Sequence, residues 1–252
     1  MKNKKVKIFA FICVFVGLAL IATYVYLSKK SVKEVNIIDM TSENVNTQEK
    51  EPQKPTEKVI KNPIDFEELN KINKDIFAWI VVPGTSVNYP VLYSSDEYYL
   101  RRGYDKEYSY PGSIFVESEY NSRNFKDSVT LIYGHQMQDA TMFSDLEMFA
   151  SKPLNDKAVF TIYTKNEKLT YRIFAATQYS NKHVLYYNDF SNRKIFNSFF
   201  DKIFDARTFA SNLDRSVDIR QGNIAILSTC YLENREQRFL VMGVCIKKVK
   251  LK

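Results

Sequence analysis

Three side chains suited to covalent acyl chemistry stand at the ends of apolar runs in this sequence. Cys230 closely follows the apolar run 224–227, Arg238 begins the next apolar run, and His135 follows an earlier run at 129–134. Short apolar runs of this kind indicate buried strands. A nucleophile is best held at the rim of a rigid sheet, where it is both oriented and reachable. The pattern therefore predicts a covalent cysteine enzyme.

The chemistry of such an enzyme requires these residue types. A thiolate is the nucleophile, and a nearby imidazole or cation favours its formation. The imidazole of His135 can protonate a leaving amine and deprotonate an incoming one. A guanidinium can stabilise the oxyanion of a tetrahedral intermediate, and Arg238 suits this role because its fork is planar and always charged. Arg235, three residues earlier in a polar loop, is the competing candidate.

The other histidine and cysteines have simpler interpretations. His183 lies in a polar stretch and is predicted to be a solvated loop residue. Cys245 lies within the last apolar run, where a free cysteine behaves as a small core residue. Neither Cys230 nor Cys245 shows C-x-x-C spacing, so the sequence calls for no metal and no cofactor.

The net charge of +7 suggests nucleic-acid binding, but its distribution argues against that function. Residues 1–30 contain six lysines and no acidic residue, and the rest of the chain has 30 basic and 29 acidic residues, a net charge of +1. Since no basic stripe remains, nucleic-acid binding is excluded and the basic excess is interpreted as a topology signal.

The N-terminal apolar run predicts a membrane anchor. Ile8 to Leu27 is interrupted only by Gly17 and Thr23, and as a helix it spans about 30 Å, which matches a bilayer core. Four preceding lysines predict a cytoplasmic N-terminus and an extracellular remainder. The domains are therefore a tail at 1–7, an anchor at 8–28, a flexible linker at 29–62 and a catalytic domain at 63–252. A cleaved signal peptide is the alternative.

The domain after Pro63 has two patterns typical of helices. Asp65 is predicted to cap a helix, and a set of apolar residues follows it at helical spacing: Phe66, Leu69, Ile72 and Ile76. Ser191 is predicted to cap a second helix, which carries an apolar stripe ending at Phe204.

Short strand-like runs make up most of the remaining domain. They are predicted at 79–82, 88–92, 113–116, 128–133, 158–163, 169–175, 223–228 and 238–246. Many short strands with few helices indicate a mainly β protein with peripheral helices, folded as a closed or nearly closed barrel.

Taken together, these motifs resemble the sortases, and class B sortases in particular, over about residues 63 to 248. The Leu-x-Thr-Cys motif of that family is matched by 227–230, its strand-ending histidine by Tyr133-Gly134-His135, and its later arginine by Arg238. Further similarity lies in Trp79-Ile80 with Pro83-Gly84-Thr85, in Tyr89-Pro90-Val91, in Tyr98-Tyr99-Leu100, in Gly112-Ser113-Ile114-Phe115, and in the aromatic helix at 191–204.

The resemblance implies an eight-stranded sortase barrel and a transpeptidase on the outer face of a Gram-positive cell membrane. Such enzymes cleave a C-terminal sorting signal of a secreted protein, hold its N-terminal part as a thioester, and pass it to a peptidoglycan amine. By resemblance, Cys230 is the nucleophile, His135 the general acid and base, and Arg238 the oxyanion-stabilising residue. Leu100 and Ser228 match positions near the substrate groove of the family. Tyr231 stands where some class B members have an acidic residue.

Two other functions fit parts of the pattern. A hydrolytic cysteine peptidase would use the same Cys230 and His135, although His135 precedes Cys230, the reverse of the papain-like order. A non-catalytic, membrane-tethered binding module would need neither side chain, so substitution of Cys230 by alanine would leave its function intact.

Overall fold

The computed structural model describes residues 60–206, 208, 210–220, 222–230, 234 and 236–252, all within one unit, Lys54–Lys252. In these described residues, nine β-strands form a single sheet. The strands are β1 Ile76–Val81, β2 Asn88–Ser94, β3 Ile114–Glu117, β4 Val129–Tyr133, β5 Val159–Thr164, β6 Glu167–Ser180, β7 Asn212–Leu213, β8 Ile224–Cys230 and β9 Gln237–Lys250.

Eight of the described strands close into a barrel, in the order β5-β1-β2-β3-β4-β8-β9-β6, because β6 pairs with β5 as well as with β9. The pairs β2–β3 and β4–β8 are parallel, and the other pairs around the barrel are antiparallel. The two-residue strand β7 only extends the sheet beside β6. The eight-stranded barrel expected from the sequence is confirmed.

In the part of the chain that the structure describes, helices are few and peripheral, as predicted. They are α1 Phe66–Ile72, α2 Val184–Tyr187 and α3 Arg193–Phe204, and short 3₁₀ turns cover Tyr98–Arg101 and Ser144–Ala150. One face of α3 is buried because four apolar side chains repeat at intervals of three and four residues: Phe196, Phe199, Phe200 and Ile203. They pack on the outer face of the barrel, and each buried side chain stabilises the fold by about 1.5–3 kcal/mol.

The helix boundaries differ in part from the sequence prediction. Asp65 caps α1 as expected, since its Oδ1 accepts hydrogen bonds from the backbone N–H groups of Glu67 and Glu68, both at 3.0 Å. The predicted continuation to Ile76 is wrong, because the chain turns extended at Asn73 and Ile76 is a buried residue of β1.

The predicted cap of the second long helix is also wrong by one residue. The side chain of Asn192, rather than that of Ser191, accepts a hydrogen bond from the backbone N–H of Lys194 and caps α3. Ser191 instead donates its hydroxyl to Asp189 at 2.6 Å. The last strand is longer than predicted and reaches Lys250, because it pairs along its length with the equally long β6.

The predicted tail, anchor and most of the linker, residues 1–59, lie outside the described residues. Within the part of the chain that is described, no helix has the length and apolar character needed to cross a membrane.

Candidate active site

Cys230 and Arg238 face each other across the antiparallel pair β8–β9. They are direct partners in the strand register, with the last residue of β8 opposite the second residue of β9. Side chains of directly opposed residues lie within contact distance. Accordingly, Nη1 of Arg238 donates a hydrogen bond to Sγ of Cys230 at 3.3 Å. A permanent positive charge therefore lies beside the sulfur, where negative charge develops during acyl transfer.

His135 reaches the same end of the barrel through a parallel strand pair. Tyr133 of β4 is in register with Ser228 of β8, and the N–H of Gly134 donates to the carbonyl of Ser228 at 3.1 Å. Crowding explains the glycine, because a Cβ at position 134 would lie 2.5 Å from side-chain carbons of Ile114 and Phe143. The parallel register thus brings His135 to the same end of the barrel as Cys230.

The orientation of the His135 ring is set by a main-chain carbonyl. Nε2 of His135 lies 2.7 Å from the carbonyl oxygen of Leu100. A carbonyl can only accept a hydrogen bond, so Nε2 carries the proton and Nδ1 of the neutral ring is the basic nitrogen. Leu100 therefore has a function that its side-chain type did not reveal, in addition to lining the cavity.

Burial keeps His135 neutral at pH 7. It lowers the pKa of His135 below the ordinary value of 6.5; the Leu100 carbonyl opposes this effect, and the Arg101 and Arg238 guanidinium groups add to it. A neutral imidazole can take a proton from a thiol, whereas an imidazolium cannot.

All five residues singled out from the sequence line one cavity of about 240 Å³. These residues are Cys230, His135, Arg238, Leu100 and Ser228. Arg235, the competing arginine, and Tyr231 lie outside the described residues. The structure thus gives the predicted set a shared location.

The prediction for His183 was wrong. His183 is a partly buried residue of the cavity wall, not a solvated loop residue. Its Nδ1 accepts the N–H of Tyr186 at 3.0 Å and so caps α2, and its Nε2 lies 2.7 Å from Oε2 of Glu117 and 2.9 Å from the hydroxyl of Tyr133. Glu117 and Tyr133 are the last residues of their strands, as Cys230 is of β8. Their position at a strand end is the sequence feature by which these two residues of the site could have been predicted.

Cys245 matches its predicted role only in part. It packs against the barrel core but is partly exposed, and its Sγ donates to the carbonyl of Lys247 at 3.7 Å. Burial raises the pKa of its thiol, which remains protonated at neutral pH. Among the described residues, no three acidic, cysteine or histidine side chains are grouped closely enough to hold a metal ion.

The comparisons with known proteins agree with this geometry. The sortase domain family matches residues 80–246. Sortase B of Staphylococcus aureus (strain NCTC 8325 / PS 47) is 34% identical over 187 residues, which are 72% of this chain and 75% of that protein. Sortase B of Listeria monocytogenes serovar 1/2a (strain ATCC BAA-679 / EGD-e) is 30% identical over 188 residues, 73% of this chain and 75% of that protein.

Solved structures of sortase B share the fold. Clostridium perfringens sortase B aligns with a TM-score of 0.64 at 28% identity, covering 73% of this chain and 100% of that chain. A Staphylococcus aureus sortase B–substrate complex aligns with a TM-score of 0.62 at 30% identity, covering 77% and 88% of the two chains. Sortase B complexed with triglycine also aligns with a TM-score of 0.62 at 30% identity, covering 74% and 86%.

Proposed function

The chain belongs to the sortase family of cysteine transpeptidases, and we propose that it joins secreted proteins to the cell wall. In this proposal the enzyme cleaves a C-terminal sorting signal and transfers the N-terminal part to a peptidoglycan amine. The observation that carries the proposal is the contact between Arg238 and Cys230 in a cavity that also holds His135. The similar structures support the two substrates, since one is a complex with substrate and another a complex with triglycine.

The first half-reaction forms the thioester. Neutral His135 takes the proton of the Cys230 thiol, and the sulfur attacks the carbonyl carbon of the scissile peptide bond. The oxygen becomes an oxyanion, which the guanidinium of Arg238 stabilises from its position beside the sulfur. The carbon–nitrogen bond then breaks, and the imidazolium gives its proton to the leaving amine.

The second half-reaction transfers the acyl group. An amine of the acceptor attacks the thioester carbon, a new carbon–nitrogen bond forms, and the carbon–sulfur bond breaks. His135 takes the proton that the amine loses, and passes it to the departing sulfur of Cys230. In each half-reaction the same imidazole therefore acts first as a base and then as an acid, and it is neutral again at the end.

Leu100 and Ser228 are proposed to contact the bound sorting signal. Both line the cavity that holds Cys230, and Ser228 is 4% exposed at the strand position two residues before the nucleophile. The peptide chain would lie along this wall, with its scissile carbonyl carbon next to the sulfur of Cys230 and its carbonyl oxygen next to the guanidinium of Arg238.

The location proposed for the enzyme is the outer face of a Gram-positive cell membrane. Its support is the sequence: the apolar run Ile8 to Leu27 is long enough to span a bilayer, lysines precede it, and a polar segment follows it. The N-terminus would be cytoplasmic and the barrel would face the wall.

Product analysis with and without an amine acceptor tests the proposed function. The full-length chain in detergent is incubated with a pool of sorting-signal peptides, with and without triglycine, and the products are identified by mass. We expect a peptide–triglycine product, and none from a Cys230→Ala variant. A hydrolysed peptide that forms in the same amount with and without triglycine would contradict a transpeptidase function.

A further inference from the structure

A buried phenol lies directly before the carbonyl that orients the candidate base. Tyr99 is 0% exposed, and its hydroxyl donates to Oδ2 of Asp75 at 2.6 Å and accepts from Nδ2 of Asn73 at 2.8 Å. A buried hydroxyl costs free energy unless it is hydrogen-bonded, and here it is bonded both as donor and as acceptor. Asn73 directly follows α1 and Asp75 directly precedes β1, so the bonds join the turn that contains Tyr99 to the start of the barrel.

The partners of Tyr99 are held in turn. Asn73 also donates to the carbonyl of Tyr104 at 2.8 Å and accepts the N–H of Asp75 at 2.9 Å. Lys106 lies 2.9 Å from Asp75. Burial alone would raise the pKa of the Asp75 carboxyl, but the hydrogen bonds from Tyr99 and Lys106 outweigh burial, so the pKa of Asp75 is lowered. Burial raises the pKa of Tyr99. At neutral pH Asp75 is therefore a carboxylate and Tyr99 a protonated donor.

The other side of the turn is fixed by the backbone before β3. The carbonyl of Tyr99 accepts the N–H of Ser113 at 3.0 Å. Gly112, at φ +61°, is so close that a Cβ there would lie 2.4 Å from the carbonyl oxygen of Leu100 and 2.7 Å from that of Tyr99. The turn therefore has little freedom to move on this side, and only glycine fits at position 112.

The geometry points to a function for this polar cluster that deepens the function proposed above. We propose that Tyr99, through Asp75 and Asn73, is a positioning residue that holds the Leu100 carbonyl against Nε2 of His135. The carbonyl then has the orienting role that a carboxylate has in a Ser-His-Asp triad, fixing the ring and its tautomer. The inference rests on His135 being the general base.

A loosened turn has two consequences that simple destabilisation does not have. First, the neutral His135 ring can exchange its proton between the two nitrogens, and Nδ1 is then no longer always the base. Second, the Leu100 carbonyl raises the pKa of His135, so weakening their hydrogen bond lowers that pKa further. The acidic limb of activity would move to lower pH, while kcat would fall.

The experiment is nitrogen NMR of the full-length chain labelled at histidine, with Tyr99→Phe as the test variant. The chain has two histidines, so the spectrum contains only two rings. Both bear the proton on Nε2 in the structure, since Nδ1 of His183 accepts the N–H of Tyr186. We expect the signal of His135 to shift toward a tautomer mixture and that of His183 to stay unchanged.

Kinetics on the same variants complete the test. For Tyr99→Phe we expect kcat to fall about 10- to 100-fold, as small misplacements of catalytic groups do, with the acidic limb at lower pH. Tyr93→Phe is the matched control, because it removes another hydroxyl, the one that donates to the carbonyl of Asn121 at 2.8 Å. It should leave the His135 signal and the pH profile unchanged.

Further results distinguish the positioning role of Tyr99 from a loss of folding and from a failure of the proposed function. An unchanged His135 tautomer and pH profile in folded Tyr99→Phe would overturn the positioning role, even if kcat fell. If Tyr99→Phe does not fold, Asp75→Asn replaces it; the weaker acceptor should shift the His135 signal in the same direction, and no shift would overturn the proposal. The NMR result does not depend on turnover, so an inactive wild-type protein with the expected tautomers would contradict the proposed function alone.

Discussion

Arg238 lies beside Cys230 because the two residues are direct partners across β8 and β9. The contact, 3.3 Å from Nη1 to Sγ, needs no loop to position it, since it follows from the register of two core strands. A rigid sheet is a better support for a catalytic pair than a loop is. The register thus pairs Cys230 with Arg238 although the two residues are eight positions apart in the sequence.

We expect Arg238→Lys to lower the rate of transfer about 10²- to 10³-fold, the usual effect of losing one oxyanion donor. Lysine keeps the charge but lacks the planar fork of arginine, so it cannot reproduce the geometry beside Cys230. Steady-state kinetics measure the effect. Arg220→Lys is the control, because Arg220 is exposed and pairs with Asp218. Equal rates for wild type and Arg238→Lys would show that charge alone suffices.

The pH dependence of activity should reflect the lowered pKa of His135. The base is active when neutral, so activity is lost as pH falls through its pKa, and we expect this acidic limb below pH 6.5. Arg101→Gln removes a cation that lowers the pKa of His135, so the limb should move to higher pH. Profiles of kcat/KM against pH measure the limb. Lys202→Gln, on the exposed face of α3, is the control and should leave the acidic limb in place. An acidic limb that also stays in place in Arg101→Gln would contradict the electrostatic explanation of the lowered pKa.

His183 is expected to hold one wall of the cavity. His183→Ala removes the cap of α2 and leaves Glu117, whose side chain is 11% exposed, without its imidazole partner. Losing a hydrogen bond to a charged side chain costs about 1.5–3 kcal/mol, so the free energy of unfolding should fall by that amount. We expect KM for the peptide to rise more than kcat falls, because the wall also carries Asn181 and Lys182.

A matched variant separates stability from substrate binding at this wall. Asn192→Ala removes the cap of α3, a loss of about 0.5–2 kcal/mol, away from the cavity. It should lower the free energy of unfolding in denaturant and leave KM unchanged. A rise in KM of the same size in both variants would mean that His183 acts only through general stability.

Cys245 should be dispensable for catalysis. Its thiol stays protonated because burial raises its pKa, and it does not line the active-site cavity. We expect Cys245→Ala to retain the transfer rate within about two-fold, with a small loss of stability from the lost core contact. Peptide mapping after brief alkylation should find Cys230 modified before Cys245. A large loss of transfer in Cys245→Ala would show a role that the geometry does not explain.

The barrel, and the grouping of the candidate side chains in one cavity, were predictable because they depend on apolar periodicity and on strand ends. The continuation of α1 to Ile76 was mispredicted because Ile72 and Ile76 are four positions apart, which is the spacing of apolar residues on one face of a helix. The same spacing also occurs by chance between a residue inside a helix and one beyond its end. Ile72 is 54% exposed and Ile76 is buried, so tertiary pairing in β1 decides between them. Periodicity alone has no access to that pairing.

Two features of the site had no clear signal in the sequence. The bond from His135 to Leu100 uses a main-chain carbonyl, which every residue has, so residue type gives no indication of it. His183 stands in a polar stretch, and its burial depends on Glu117, which is 66 positions away in the sequence. Long-range pairing of this kind arises only when the barrel closes and brings β3 beside the segment after β6.

The most direct test of the central claim is the intact mass of the full-length enzyme after mixing with a sorting-signal peptide and no acceptor. The account predicts a mass increase equal to the N-terminal fragment of the peptide, located on Cys230, absent in Cys230→Ala and released by added triglycine. His135→Ala should form this adduct far more slowly. An adduct that persists in Cys230→Ala, or peptide cleavage by that variant, would contradict the assignment of Cys230 as the nucleophile.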